Sequence, residues 1–391
     1  MGKPRSTGSS SAAPPARLWQ ILSWRRETPP SSNMTVVQAL RGFAALWVVL
    51  FHAARGHHVD SLLAALPAAI SIPLFDWGHY GVAIFFALSG FVIAHSLRDA
   101  RVDGAFFGAF VVRRSIRLDP PYWGAIAICV LFGWVSASVK HEPFSLPSAS
   151  TVAAHLVYLQ NILQQPEINT VFWTLTYEVQ FYLVLCGALM SATIGERYGM
   201  IAARKVILAL LFGLAAWSAT GLWTTVLPGL FIGLWYAFFL GVLAYWSMAR
   251  PMFRIPLLAL VVIVALPTPR GDYGFGMFSA GTAVLLFGAG LTGWLYRGLR
   301  ARALQLLGLI SYSLYLLHNP VSGATGFLVH RMVGHGVAAD VTTLIAIVVA
   351  SIFAAALYFY WLERPVHRWS RAIKLGKRVR SQPGRTAPLA P

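Results

Sequence analysis

Ten apolar runs follow one another along this chain, at 35–54, 78–96, 121–138, 171–194, 206–221, 228–248, 254–268, 275–296, 303–322 and 338–362. A helix needs about 20 apolar residues to cross the hydrocarbon of a bilayer. The backbone there must satisfy its own hydrogen bonds. The runs therefore predict an all-α integral membrane protein of about ten transmembrane helices. Composition agrees: 57% of residues are hydrophobic and only 11% charged, where a soluble domain carries about 25% charge. The seventh run is short and the weakest of the ten. The stretch "TVAAHLVYLQNIL" at 151–163 is amphipathic and is expected to lie on the outer surface without crossing.

The net charge of +18 would point to nucleic acid in a soluble protein. Its distribution points elsewhere. With ten spans, both termini share a side, and 26 of the 31 Lys and Arg residues fall there. The other side holds four, Arg55, Lys140, Arg270 and Arg331, and Arg41 lies within a run. Basic residues gather in cytoplasmic loops, so both tails are expected in the cytoplasm, and no nucleic-acid partner is needed. Residues 1–34 read as a disordered basic tail without a signal peptide. Within it, "RLWQILSW" is expected on the membrane surface. Residues 35–365 form the membrane domain and 366–391 a basic C-terminal tail. Cys129 and Cys186 sit in apolar runs and are read as packing residues, with no metal site.

Ionisable groups inside spans are costly and by default mark function. Four stand out: Arg41 and His52 in the first run, Glu178 in the fourth and His318 in the ninth. At about 100° and 1.5 Å per residue, Arg41 and His52 share a helix face about 16 Å apart. His52, Glu178 and His318 are expected at one depth. A histidine beside a carboxylate there makes a general base with an orienting partner; alone, each is equally a packing hydrogen bond. Thr174, Glu178 and Tyr182 form an i, i+4 stripe. "RRSIRLDPPYW" at 113–123 holds Arg113, Arg114, Arg117 and Asp119. Its prolines are expected to break the helix and turn the chain back into the membrane. A guanidinium on such a turn suits a phosphate. Ser89-Gly90, in the middle of the second run, allows close approach of a thin ligand or of another helix.

Five motifs in order, spanning about 35–365, resemble the membrane acyltransferase-3 family of bacterial O-acyltransferases. They are Arg41 and His52 in "LRGFAALWVVLFH", the run from Gly81 to Phe91, and Arg114, Arg117, Leu118, Pro120 and Tyr122. The fourth is "FWTLTYEVQFY" from Phe172 to Tyr182, and the fifth "SYSLYLLHNP" at 311–320. Asp119 departs from the aromatic often found there. The soluble hydrolase-like domain of many relatives is not expected in the short remainder.

The resemblance implies acyl transfer from cytosolic acyl-CoA, acetyl-CoA by default, to a sugar hydroxyl outside a bacterial cytoplasmic (inner) membrane. The acceptor would be a cell-surface polysaccharide or a lipid-linked glycan, with glycan-assembly proteins as possible partners. His52 would be the base and Glu178 its orienting carboxylate. Arg41, Ser89, Gly90, Phe91, Arg114, Arg117 and Tyr122 would line the donor's path. Trp173, Thr174, Tyr182 and His318 would surround the acceptor. Two other classes stay open: a transporter or flippase using Arg41, His52 and Glu178 as a proton relay, and a non-catalytic scaffold. The scarcity of matching interrupted helices in the two halves weighs against a repeat-built transporter.

Overall fold

The computed structural model describes residues 34–98, 100–222, 229–268 and 272–373. The expectations for the N-terminal tail, including "RLWQILSW", and for residues 374–391 lie outside the described residues; residues 366–372, expected in the C-terminal tail, instead belong to a helix that buries Val366 and Ser370. Among these, every element is helical. The main helices are α1 (Thr35–Arg55), α2 (Gly81–Ser96), α3 (Gly104–Lys140), α4 (Ala149–Leu156), α5 (Trp173–Arg197), α6 (Ala203–Ala219) and α7 (Trp235–Ala249). There follow α8 (Arg254–Ala265), α9 (Tyr273–Leu291), α10 (Arg302–Leu309), α11 (Ser311–Val333), α12 (Val337–Tyr358) and α13 (Arg364–Ala372).

Seven helical segments among the described residues are long and apolar enough to cross a membrane: 35–55, 68–96, 104–140, 173–197, 231–249, 273–291 and 337–372. The chain is therefore a multi-pass membrane protein. Three expected spans fall short of that standard. α6 and α8 have 17 and 12 residues. The ninth run is divided at Ile310 into α10 and a longer α11 that carries Pro320. α4, the only helix in 151–163, has 8 residues, too few to cross.

The largest departure is α3. Pro120 and Pro121 do not turn the chain; one helix of 37 residues runs through them. Two prolines remove two donors from the ladder. Tyrosines from distant helices tie the weakened turn: Tyr312 Oη donates to Leu118 O at 3.0 Å, and Tyr358 Oη donates to Pro121 O. Neighbouring helices commonly hold such turns in membrane proteins. The N-terminus of α3 is capped by Asp103, which accepts from Phe106 N at 3.0 Å.

α2 and α7 cross backbone to backbone. A Cβ on Gly90 would stand 1.8 Å from Phe238 O, and one on Gly241 1.8 Å from Ala87 O. Only glycine permits this approach, and van der Waals contact is the main force that joins helices in lipid. Phe86, Phe181 and Phe238 stack beside the crossing. Cys186 is fully buried in the same core, as a packing residue.

Candidate active site

Three arginines and two carboxylates line one narrow cavity of about 80 Å³. α1 supplies Arg41. α3 supplies Arg114 and Arg117, which share a face at i, i+3. α5 supplies Glu178, and the π-helical turn Phe359–Glu363 after α12 supplies Glu363. Arg114 Nη2 lies 2.9 Å from Glu178 Oε1, which also accepts from Ser89 Oγ at 3.3 Å. The Tyr182 ring covers the Arg114 guanidinium at 4.7 Å. Arg41 Nε donates to Ser311 Oγ at 3.2 Å. Glu363 accepts from Ser313 Oγ and stands 3.4 Å from His367 Nε2.

Among the described residues no carboxylate lies within 4 Å of Arg41 or Arg117. Three guanidinium groups thus face two carboxylates, one of which is committed to Arg114. Arg41 and Arg117 retain donors for an anion, and their planar forks match phosphate oxygens.

His52 lines a different and much larger cavity, of about 1110 Å³, with Arg55, His79, Trp173 and Asp272. Hydrogen bonds fix its tautomer. His318 is buried, and its Nδ1 faces two carbonyls, Leu314 O at 3.1 Å and Tyr315 O at 2.8 Å. That nitrogen must carry the proton, so His318 Nε2 accepts. His52 Nδ1 faces two acceptors, Val48 O at 3.0 Å and His318 Nε2 at 3.2 Å, so it too carries a proton. The lone pair of His52 is therefore on Nε2, which has no partner among the described residues. A neutral imidazole with one nitrogen anchored and the other free has the form of a general base.

The two cavities share a wall. Val82 and Tyr315 line both. Tyr315 is held rigidly: its hydroxyl donates to Val171 O at 3.0 Å and pairs with Thr174 Oγ1 at 2.8 Å.

The structure brings together Arg41, Ser89, Arg114, Arg117, Thr174 and Glu178, with Tyr182 behind Arg114. It places His52 and Trp173 in the other cavity, with His318 bonded to His52. Glu178 is thus not the orienting partner of His52; it is tied to Arg114 and Ser89, and His318 takes the position beside His52. The shared depth expected for Glu178 and His52 does not bring them into contact.

Three expected donor residues are core residues. Gly90 serves the α2–α7 crossing, and Phe91 is fully buried against Tyr245. Tyr122, also fully buried, stacks on Tyr158. Asp119 faces away from the cavity and accepts from Tyr158 Oη at 2.9 Å. Sequence reasoning missed Glu363, His367, Ser311 and Tyr315. A signal for Glu363 exists: it is an acid directly after the last apolar run, in "YFYWLERPVH".

The chain belongs to the acyltransferase-3 family, whose acyltransferase-domain model matches residues 36–363. It is a membrane acyltransferase. It is 26% identical to the exopolysaccharide production protein ExoZ of Rhizobium meliloti (strain 1021), over 84% of this chain and 97% of that protein. It is 30% identical to the regulator of hypoxia-inducible factor 1 of Caenorhabditis elegans, over 44% of this chain and 38% of that protein. It is 28% identical to nodulation protein 10 of Rhizobium leguminosarum bv. viciae, over 37% of this chain and 41% of that protein. The match thus spans about two fifths of the last two relatives and nearly all of the first. No solved structure matches the chain.

Proposed function

We propose that the protein is an O-acyltransferase of a bacterial cytoplasmic membrane. It moves an acyl group, acetyl by default, from cytosolic acyl-CoA to a sugar hydroxyl of a cell-surface polysaccharide or lipid-linked glycan. In this reading ten spans leave both tails in the cytoplasm, and glycan-assembly proteins deliver or receive the glycan. One observation carries it: a cavity with two arginines that have no carboxylate partner among the described residues abuts, across Tyr315 and Val82, a wide cavity lined by an imidazole with a free nitrogen. The match to an exopolysaccharide production protein along nearly its whole length supports the glycan acceptor.

Arg41 and Arg117 bind CoA phosphate oxygens, and the thioester reaches the Tyr315 wall. The acceptor hydroxyl gives its proton to His52 Nε2 as its oxygen attacks the thioester carbonyl. The carbon–sulfur bond breaks, and the leaving thiolate takes that proton from the imidazolium. Through its Nδ1–H, the transient imidazolium is held by Val48 O and His318 Nε2. The relay of a transporter finds no comparable support, because Arg41 and Glu178 line one cavity and His52 the other.

The test is CoA-dependent acyl transfer by the purified protein in lipid, paired with mass spectrometry of cell-envelope glycans from cells with and without it. Loss of one acyl modification from the glycans, restored by the wild-type protein, is expected. Unaltered glycans and no CoA-dependent transfer would overturn the reading.

A further inference from the structure

A third cavity, of about 950 Å³, lies between α3 and α11. It shares Thr170 with the His52 cavity. Its chemistry is divided. One end is polar, with Asn319 half-buried and Thr170 exposed. Asn319, the residue after His318, donates from Nδ2 to Asn169 Oδ1 at 2.9 Å and to Thr170 Oγ1 at 3.0 Å. The Asn319 carboxamide oxygen has no partner among the described residues and is open to a hydroxyl donor. His58 and His330 line the same cavity. Its flanks are apolar and turned outward: Leu131 and Val135 on α3 are 52% and 44% exposed, and Leu328 on α11 is 57% exposed.

A crevice filled only by lipid tails has no use for this polar end, since hydrocarbon would strip it of hydrogen-bond partners. A free polysaccharide has no use for the apolar flanks. An amphiphile satisfies both.

We propose that this cavity is a lateral entrance for a lipid-linked sugar. Its hydrocarbon tail lies along Leu131, Val135 and Leu328, and its sugar hydroxyls bond Asn319 and Thr170 before reaching His52. This rests on the reading of His52 as the reactive end, but it is tested by binding alone.

Cys129 lines the cavity, accepting from Asn169 Nδ2 at 3.3 Å, whereas Cys186 is fully buried. Gly323 also lines it, and a side chain added there meets nothing within 4 Å. The full chain in nanodiscs is treated with N-ethylmaleimide, as wild type and as Gly323→Cys, and modification at the two positions is followed by mass spectrometry. The probes are dodecyl glucoside, methyl glucoside and dodecanol. Dodecyl glucoside at ten times its Kd is expected to slow alkylation about tenfold by occupying the site, with little effect from the other two. Gly323→Leu is expected to fill the space and abolish that protection at Cys129. Equal protection by dodecanol would make the cavity a lipid crevice only, and equal protection by methyl glucoside a site for free glycan. Both overturn the proposal, as does protection by none. No alkylation at either position would show the cavity closed and overturn it too. Each of these outcomes is separable from a failure of His52 to act as base, which is read by transfer.

Discussion

His318 Nε2 stands 3.2 Å from His52 Nδ1, and each ring is anchored to its own helix through a carbonyl one turn back. Two helices thus fix one imidazole. His52→Ala is expected to lower transfer by about two to four orders of magnitude, the usual contribution of a positioned base. His52→Gln should not rescue, because an amide takes no proton at this position. The check is turnover by purified, monodisperse variants with matched CoA binding. Retention of more than about a tenth of wild-type turnover, well above that expectation, would remove the base role.

His318→Ala is expected to slow turnover less than His52→Ala while leaving CoA binding unchanged. His52 keeps the Val48 carbonyl as its second anchor. His318→Asn tests whether a neutral acceptor beside Nδ1 suffices. A loss as deep as that of His52→Ala would make His318 a proton carrier in its own right.

Arg117→Ala is expected to weaken CoA binding by about ten- to a hundredfold, from a lost charge-assisted hydrogen bond of about 1.5–3 kcal/mol. Arg114→Ala is a different experiment, since it strands the Glu178 carboxylate. It should lower the thermal midpoint, and Glu178→Gln in the same chain should recover part of that loss, as coupled neighbours do. Calorimetric titration with CoA and a melting curve separate the two effects. Unchanged CoA affinity in folded Arg117→Ala would end the phosphate role.

Gly90→Ala is expected to destabilise the fold by about 1–3 kcal/mol, the usual cost of overpacking, because the new methyl group meets Phe238 O. CoA affinity of the folded fraction should be unchanged. A stable Gly90→Ala protein with weakened CoA binding would return Gly90 to the donor's path.

Both tails are expected in the cytoplasm. A reporter fused after Arg385 should be active only in its cytoplasmic form, and periplasmic activity there would break the even number of spans.

That Arg41 and His52 stand on one helix was legible, because both fall within a single apolar run. The partition between cavities was not. Trp173 lines the His52 cavity and Thr174 the arginine cavity. One residue, or about 100° of rotation, decides the side, and run boundaries are uncertain by several residues. The prolines of α3 were misread for a similar reason. What holds the helix together there is Tyr312 and Tyr358, 194 and 237 residues further along the chain. Glu363 was missed because the last apolar run was ended at residue 362, one residue short of the acid, so it was not counted among the ionisable groups inside spans.

α3 has one more consequence. Its 37 residues make a rod about 55 Å long at 1.5 Å per residue, against a hydrocarbon layer of about 30 Å. Such a rod tilts, projects, or thickens the bilayer around it. Arg114 and Arg117 ride on it instead of on a loop that would absorb the misfit. If Arg117 binds the donor as proposed, hydrophobic mismatch at α3 is expected to reach the arginine cavity, and donor affinity is expected to vary with bilayer thickness.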